Sequence, residues 1–402
     1  MRSFLLSENE MNELCRRQET PFLVLSTDKA AENYAFLRKH LPRAGIYYAI
    51  KANPQPDVLK RLASMGSHFD VASAGEMEIL HEAGIDGSRM IYANPVHDKR
   101  GLMAAARLGV KRFTFDDASE IAKIAKYVPD ADVLVRVQVQ NSKALVDLNT
   151  KFGVPLAEAL PLLKQAEDAG LHAKGICFHV GSQSLSTAAY EEALLLVHHL
   201  FTEAEASGLH LTDLDIGGGF PIPSANGLHI DLAAMLEAIN RQIDRLFPET
   251  QVWTEPGRFI CGTAMNLVTS VIGTKMRGDK PWYILDEGIY GVFSGILFDH
   301  WEYPLHCFGR GKKIPSTFAG PSCDGIDVLY RDFPAPKLAI GDKVLVGNIG
   351  AYTTVSATHF NGFEPAPILI WEKQADLIAK RQQDFSANEN DDTEENQRLL
   401  RL

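Results

Sequence analysis

The feature that most limits the fold of this chain is one alternation that repeats from about residue 45 to residue 260. A short β-branched or apolar run is followed by a polar turn and then by a stretch with helical periodicity. The short runs cover residues 46–51, 68–72, 90–93, 112–115, 133–137, 174–179, 213–217 and 252–255. The helical stretches include residues 74–83, 99–108, 119–127, 155–169, 188–206 and 232–247. Eight such units in roughly 215 residues predict an α/β fold, the (β/α)8 TIM barrel, with a doubly wound open sheet as the alternative.

The positions of the chemically unusual residues favour the barrel over the open sheet. Each of them falls at the carboxyl end of a predicted strand or just after it: Lys51, Asp70, Arg136, His179, Gly217, Gly218, Gly219 and Glu255. In a barrel those strand ends share one mouth, where active sites of this architecture are found.

The rhythm changes after about residue 265, which predicts a second domain. Short β-like runs at 268–272, 282–285, 343–346 and 367–371 are separated by Gly and Pro turns. We therefore expect a barrel over 26–265 and an all-β domain over 266–372. The run 22–25 is expected to join that domain, so that residues 1–25 pack with it. The highly charged segment 373–402 is expected to be a frayed helix or disordered.

Composition excludes several classes of partner. The 402 residues are 46% hydrophobic with a formal net charge of −11, which argues against a nucleic-acid or anionic-membrane surface because both need a basic field. The five cysteines are scattered and form no CxxC pair, so neither a disulfide framework nor a metal site is indicated. Without a long apolar run or a leader-like start, the sequence predicts a soluble cytoplasmic protein.

Lys51 ends an apolar run and is followed at once by a turn. A lysine held there, beside aromatic and apolar surface that can lower its pKa, is suited to attack a carbonyl and form a Schiff base. The alternative is an ordinary surface lysine that opens a loop.

Three further strand ends carry groups suited to a phosphorylated pyridine ring. Glu255 can pair with a protonated ring nitrogen, or else with Arg258 as a plain ion pair. The glycine run 217–219, with Gly257 on the neighbouring strand, can let backbone N–H groups approach a phosphate, although a tight turn gives the same string. His179 can stack on a flat ring and Ser182 can reach its phosphate, while a structural histidine is the alternative.

Two positions in the β domain have candidate chemistry. Cys323 and Asp324 lie on a loop bounded by Gly and Pro, where a thiol can deliver a proton and a carboxylate can bind an amine. Asp299 can anchor a distal ammonium group. For each, an inert turn or a surface carboxylate is the alternative.

Taken in order along the chain, these motifs resemble the fold type III, alanine racemase-like family of pyridoxal-phosphate decarboxylases, and most closely its ornithine/lysine decarboxylase branch. The resemblance runs from about residue 21 to residue 371. It implies pyridoxal 5'-phosphate as cofactor, with Lys51 as the Schiff-base lysine, Glu255 on the ring nitrogen and His179 stacked on the ring. The other cofactor residues that it implies are Asp70, Arg136, Ser182, Gly217, Gly218, Gly219, Pro256, Gly257, Arg258 and Tyr352, with Glu76 in the supporting network.

The same resemblance implies a substrate site and a dimer. Cys323 would protonate the substrate carbon, and Asp324 and Asp299 would hold the distal amine. The remaining substrate contacts that it implies are Phe298, Tyr352 and Phe360. Family members are head-to-tail homodimers in which the loop of Cys323 reaches the partner's site, so each site needs both chains.

The choice of substrate rests on acidic residues. The diaminopimelate branch usually has Cys-Glu-Ser where this chain has Cys323, Asp324 and Gly325, and it has cationic groups near the position of Asp299. An acidic region instead suits an ω-ammonium group. The sequence thus predicts decarboxylation of ornithine or lysine to a diamine, as in polyamine biosynthesis. Trp301 and Glu302 do not match the ornithine pattern, so a modified diamino acid stays open.

Three other functions stay open beside that prediction. A diaminopimelate decarboxylase would share the barrel and the cofactor. A racemase would need a second base, commonly Tyr, where this chain has Cys323. A regulatory paralogue without activity would keep the fold, but it is disfavoured because Lys51 and Cys323 are both present.

Overall fold

A computed structural model describes residues 2–139, 150–225, 227, 230–376 and 378. Its larger part is a closed barrel of eight parallel strands in chain order, which confirms the predicted architecture over the open sheet. Strand β2 closes the barrel by pairing with β9, in the register Ala44 to Val252. The barrel strands are β2 (Ala44–Ala49), β3 (His68–Val71), β4 (Met90–Tyr92), β5 (Arg112–Phe115), β6 (Asp132–Val137), β7 (His172–Phe178), β8 (Asp213–Asp215) and β9 (Gln251–Thr254).

Helices surround the barrel, and their starts follow from capping residues. Ser26, Ser73, Asp98, Asp117 and Asp231 each accept a backbone N–H of the first helical turn. The helices are α2 (Thr27–His40), α3 (Pro56–Ser64), α4 (Ala74–Glu82), α5 (Lys99–Leu108), α6 (Ala118–Tyr127), α7 (Leu156–Asp168), α8 (Thr187–Ala206), α9 (Leu232–Leu246) and α10 (Arg258–Cys261). An N-terminal helix, α1 (Glu8–Cys15), precedes them.

Several strands end earlier than the sequence pattern predicts. Strand β2 ends at Ala49, and Lys51 belongs to the 3-10 turn Ile50–Ala52 that follows. His179 and Glu255 likewise each come one residue after a strand rather than within it. The reactive side chains are therefore carried by the first turn of each loop, which frees them from the alternation of inward and outward positions along a strand.

The β domain is a sheet in which β10 is the long central strand. The strand order of this sheet is β12, β15, β10, β11, β13, β14. In addition, β1 (Phe22–Leu25) pairs with both β10 and β16. The strands are β10 (Met265–Arg277), β11 (Lys280–Leu285), β12 (Leu305–Cys307), β13 (Ile314–Ala319), β14 (Val328–Ala335), β15 (Lys343–Val346) and β16 (Ile368–Ile370), with the short helix α11 (Gly295–Phe298) after β11. Strand β1 thus joins the sheet of the β domain before the chain enters the barrel.

The described ranges contain no helix that is long and apolar enough to cross a membrane. All five cysteines are free. Within the same ranges, His, Cys, Asp and Glu side chains form no cluster that could hold a metal ion. The segment 379–402, which belongs to the predicted charged tail, lies outside the described residues.

Candidate active site

A cavity of about 410 Å3 opens at the carboxyl ends of the barrel strands, where loops of the β domain cover the mouth. Most of the predicted cofactor residues line it: Lys51, Arg136, His179, Ser182, Gly219, Glu255, Pro256, Gly257, Arg258 and Tyr352. Asp299 of the β domain also lines it. Of the predicted strand-end residues, Lys51, Arg136, His179, Gly219 and Glu255 therefore meet in one space, whereas Asp70, Gly217 and Gly218 do not line it.

Lys51 is held in place by a short hydrogen-bonded turn. The Tyr48 hydroxyl donates to the Asn53 carbonyl at 2.9 Å, and the Asn53 amide donates to the Gly350 carbonyl of the β domain at 3.0 Å. The Nζ atom of Lys51 lies 2.6 Å from Oδ2 of Asp70 on the adjacent strand β3. The Asp70 side chain is fully buried, whereas 45% of the Lys51 side chain is open to the cavity. Lys51 is thus oriented by two domains and by one carboxylate.

The expected lowering of the Lys51 pKa is wrong. Burial alone does lower it, but the negative charges of Asp70 and Glu255 outweigh burial and raise the pKa above its ordinary value. The resting side chain is therefore an ammonium ion, and a proton must leave before the amine can attack a carbonyl. Asp70 is the nearest acceptor for that proton.

Glu255 lies beside a second buried carboxyl, Asp215. Burial and this neighbour raise the pKa of Glu255 well above its usual range, and burial likewise raises the pKa of Asp215. The two carboxyl groups interact, and their raised pKa values favour one proton retained on the pair. The backbone N–H of Gly217 donates to Oδ1 of Asp215 at 2.8 Å. This pair can hold a proton at the floor of the cavity.

His179 is a neutral imidazole. Burial and the charges of Arg136 and Lys51 lower its pKa to about 3. Its Nδ1 atom accepts the Gly181 N–H at 2.9 Å, so the single ring proton lies on Nε2. The ring therefore offers a flat, uncharged face.

The backbone of the glycine run requires glycine at all three of its positions. Gly217 and Gly219 have φ angles of +64° and +97°, in the left-handed region. A Cβ atom on Gly218 would collide with the Glu255 carbonyl, and one on Gly219 with the Gly181 carbonyl. The space beside this run is therefore a cradle of backbone atoms, closed on the other side by Gly257 and Ser182.

Arg258 pairs with Asp299, not with Glu255, which removes the plain ion-pair alternative for Glu255. Its guanidinium lies 5.3 Å from the centroid of the Trp301 ring and 4.9 Å from that of Tyr352. Arg258 is 6% exposed, so its charge is held between two aromatic rings and one carboxylate at the rim of the cradle.

The predicted substrate residues separate into two groups. Asp299 and Tyr352 line the cavity, but Phe298, Cys323, Asp324 and Phe360 do not. Phe298 is 68% exposed, and Cys323 is exposed on a loop that Asn361 Oδ1 holds by accepting the Cys323 N–H at 3.0 Å. Within one chain, the thiol and its neighbouring carboxylate thus belong to a second, outward-facing cluster.

Tyr290 organises this outward-facing cluster and was missed from the sequence. Its hydroxyl donates to the Asp324 carboxylate, and its ring stacks on Phe360 with centroids 4.1 Å apart. The hydrogen bond to Tyr290 lowers the pKa of Asp324, which keeps this carboxylate ionised. A single tyrosine in a loop carries no periodic signal that could have predicted this role.

Other cavity residues were also missed. Asn94 and Phe152 line the cavity from loops after β4 and β6, and Arg136 lies 5.0 Å from the centroid of the Phe152 ring. Asp215 was also missed. The sequence does carry a signal for it, since a carboxylate inside a barrel strand is rare unless it is paired or protonated.

The cavity fits a phosphorylated pyridine aldehyde. It combines an amine open to the space, a carboxyl pair that holds a proton, and a lining of glycine backbone at Gly219 and Gly257. The buried Nε and Nη2 atoms of Arg136 have no hydrogen-bond acceptor among the described residues. Donors without acceptors facing one cavity are what an anionic or oxygen-rich ligand would satisfy.

Comparisons with known proteins agree with this chemistry. The family model "Pyridoxal-dependent decarboxylase, pyridoxal binding domain" matches residues 28–262. The lysine/ornithine decarboxylase of Selenomonas ruminantium is 72% identical over 384 residues, which cover 96% of this chain and 98% of that protein. The crystal structure of SrLDC in complex with PLP and cadaverine has a TM-score of 0.91 and 70% identity, over 96% of this chain and 99% of that chain. The lysine/ornithine decarboxylase of Vibrio vulnificus, complexed with putrescine, has a TM-score of 0.85 and 34% identity, over 91% and 99% of the two chains.

Proposed function

The chain belongs to the family of pyridoxal-dependent decarboxylases, and we propose that it removes the α-carboxylate of L-lysine and L-ornithine to give cadaverine and putrescine. One observation carries the proposal: the Lys51 amine, the Glu255 carboxyl and the Asp299 carboxylate line the same cavity. An amine suited to an aldehyde thus lies in one space with a carboxylate suited to an ω-ammonium group. The similarity to the lysine/ornithine decarboxylase of Selenomonas ruminantium supports this pair of substrates.

The residues of the barrel mouth would hold pyridoxal phosphate. When bound, it supplies an electron sink for the electron pair that remains on Cα as CO2 leaves. The N–H groups of the glycine run, Ser182 and Arg258 would bind its phosphate. The face of His179 would lie against the ring, and the amine of Lys51 would hold the aldehyde carbon.

The chain's own groups control the protons in this site. Lys51 must pass a proton from Nζ before it attacks, and Asp70 Oδ2 accepts it at 2.6 Å. The carboxyl pair of Glu255 and Asp215 retains a proton and would hold it available for the ring nitrogen of the cofactor. Because the His179 imidazole is neutral, it adds no positive charge that would compete with that proton.

We further propose that Cys323 protonates Cα after CO2 has left, in the active site of a partner subunit. The head-to-tail dimer is supported by the location of Cys323, Asp324 and Phe360 outside the cavity of their own chain. It is also supported by the exposure of Phe298, Phe360 and Phe363, at 68%, 38% and 46%, which a partner would cover. Asp324 would then join the partner's Asp299 in holding the distal ammonium group.

The boundaries 1–25, 26–265, 266–372 and 373–402 are proposed for the N-terminal segment, the barrel, the β domain and the tail. The pairing of β1 with β10 supports the first of them. A cytoplasmic location is proposed as well, which the odd number and scattered placement of the cysteines favour.

The function is tested by CO2 release from L-lysine, L-ornithine, L-arginine and meso-diaminopimelate, with chiral analysis of the remaining amino acid. The expected result is release from lysine and ornithine, with little from the other two. Comparable release from diaminopimelate would contradict the role given to Asp299, and inversion without CO2 release would indicate a racemase.

The shared site is tested by mixing Lys51→Ala and Cys323→Ala, two variants expected to form little diamine, and measuring diamine formation. In a two-fold symmetric dimer, a mixed pair has one site with both defects and one intact site. Random reassortment should therefore recover about a quarter of the wild-type activity. No recovery after verified subunit exchange would show that each chain completes its own site.

A further inference from the structure

The carbonyl groups of the glycine run are all bound by the surrounding framework. The Gly217 carbonyl accepts the Glu255 N–H at 2.9 Å and the Thr254 hydroxyl at 2.5 Å. The Gly218 carbonyl accepts the Tyr190 hydroxyl at 2.7 Å, and the Gly219 carbonyl accepts the Ser184 N–H at 2.9 Å. Three consecutive peptide groups are therefore fixed by contacts from the neighbouring β7, β9 and α8 segments.

Fixing the carbonyls also fixes the N–H groups. In a planar trans peptide, the C=O of one residue and the N–H of the next point in opposite directions. The N–H groups of Gly218, Gly219 and Phe220 thus point away from these carbonyl partners, in a segment of which Gly219 and Phe220 line the cavity. Among the described residues, none of these three N–H groups has an assigned acceptor. Successive backbone N–H groups without acceptors beside a cavity can form an anion-binding nest.

Tyr190 is the side chain that orients the middle peptide of the nest. It lies in helix α8, it is 0% exposed, and its ring stacks on Phe220 with centroids 5.4 Å apart and an interplanar angle of 6°. The ring therefore supports the end of the nest while the hydroxyl holds the Gly218 carbonyl.

Gln183 fixes the chain just after the nest. Its side-chain oxygen accepts the Ile222 N–H at 2.8 Å, and its side-chain nitrogen donates to the Ile222 carbonyl at 3.1 Å. Gln183 is 8% exposed and has a φ angle of +55°, so this two-point contact holds an uncommon backbone conformation in place.

We propose that Tyr190 and Gln183 are positioning residues that aim the backbone N–H groups of Gly218, Gly219 and Phe220 at the cofactor's phosphate. Neither side chain lines the cavity, so both act through the main chain. This inference rests on pyridoxal phosphate being the cofactor. It assigns the two residues a role in phosphate affinity that is separable from their contribution to stability.

The test is Tyr190→Phe, which removes one hydroxyl and keeps the stacked ring. Apoenzyme is titrated with pyridoxal phosphate and, separately, with pyridoxal, which has no phosphate, and absorbance reports binding. The dissociation constant for pyridoxal phosphate should rise about tenfold, as expected for one lost hydrogen bond to a buried carbonyl. That for pyridoxal should stay within about twofold. Gln183→Glu, which keeps the acceptor and loses the donor, should show the same selective loss.

Tyr283→Phe is the matched control. Tyr283 is a buried tyrosine of the β domain whose hydroxyl accepts a backbone N–H, from Leu338 at 3.1 Å, and it does not line the cavity. The Tyr283→Phe variant should lower the melting temperature of the apoenzyme about as much as Tyr190→Phe does. Its affinities for pyridoxal phosphate and for pyridoxal should both stay unchanged.

Two results would overturn the inference: unchanged affinity for pyridoxal phosphate in both variants, or equal weakening of pyridoxal phosphate and pyridoxal. Failure of the cofactor assignment itself would look different, because the wild-type apoenzyme would then bind neither compound.

Discussion

Asp215 and Glu255 are two interacting, buried carboxyl groups at the ends of neighbouring barrel strands β8 and β9, and burial raises the pKa of each. Asp215 is 1% exposed. Such a pair cannot ionise twice at low cost, so the folded apoprotein retains a proton that the unfolded chain releases. The buried pair of Asp215 and Glu255 therefore retains a proton at the base of the active site in the folded protein.

This pair predicts the pH dependence of stability. The folded pKa values are raised, so above about pH 4 the native state binds more protons than the unfolded state, and stability falls as pH rises. Each such proton contributes about 1.4 kcal/mol per pH unit until the folded group releases it. Asp215→Asn should therefore flatten the decline in the free energy of unfolding of the apoprotein between pH 5 and pH 7, measured by urea denaturation.

A control separates this effect from the loss of any one charge. Asp168→Asn removes a carboxylate at the exposed end of α7 and should leave the slope unchanged. Some slope should persist in Asp215→Asn, because burial also raises the pKa of Glu76 and of Glu287 to about 7. A slope identical to that of the wild type would show that the pair holds no extra proton.

The ion pair of Lys51 and Asp70 predicts a shift in cofactor capture. Asp70→Asn removes the charge that raises the Lys51 pKa, so the amine becomes neutral at lower pH. The midpoint of the capture rate against pH should move down by about one to three pH units, followed by absorbance near 420 nm after apoenzyme is mixed with pyridoxal phosphate. Glu76→Gln is the control, because Glu76 accepts the Ala72 N–H at 2.5 Å and does not bind the amine. Equal shifts in both variants would contradict a direct role of Asp70.

The sequence predicted the barrel and its mouth because the alternation of strand and helix is a local pattern. It placed Lys51 and Glu255 in one cavity because parallel strands of a closed barrel must end together. The direction of the Lys51 pKa was predicted wrongly. That pKa depends on the distance between Lys51 and Asp70, which are 19 positions apart in the chain, and no local pattern encodes such a distance.

The residues that support the site without lining its cavity were harder to predict from the sequence. Asp215 and Tyr190 act through contacts with other strands and loops, so their spacing in the sequence resembles that of ordinary core positions. The location of Cys323 outside its own cavity could not be derived from periodicity either, since the direction in which a loop faces depends on tertiary packing rather than on local pattern. Only the resemblance to a family suggested it.

From the proposed role of Asp299 we expect it to determine the selectivity for diamino acids. Asp299→Asn removes the carboxylate proposed for the distal ammonium group, and kcat/KM for L-lysine should fall about 10- to 100-fold. Because Asp299 also pairs with Arg258, the dissociation constant for pyridoxal phosphate is measured in parallel. A fall in kcat/KM that follows cofactor loss alone would assign Asp299 to the phosphate side. Asp332→Asn, which breaks an exposed ion pair with Lys280 in the β domain, is the control and should change neither quantity.

Through Glu372, we expect the C-terminal segment to contribute to the stability of the barrel. Its carboxylate accepts the Ser26 hydroxyl at 2.7 Å and the N–H groups of Thr27 and Asp28 at 3.2 Å and 3.0 Å, and so caps helix α2. Burial alone raises the pKa of Glu372, but these hydrogen bonds outweigh it and lower the pKa below its ordinary value. The stabilisation is therefore complete above the unfolded pKa of about 4.3 and disappears as pH falls through the folded pKa. Glu372→Gln should cost about 1 kcal/mol at pH 7 and much less at pH 3, by urea denaturation. Asp376→Asn is the control, because it removes a nearby exposed charge without touching α2 and should change the free energy of unfolding little at either pH. Equal losses of stability in the two variants would show that general charge, rather than the cap, is responsible.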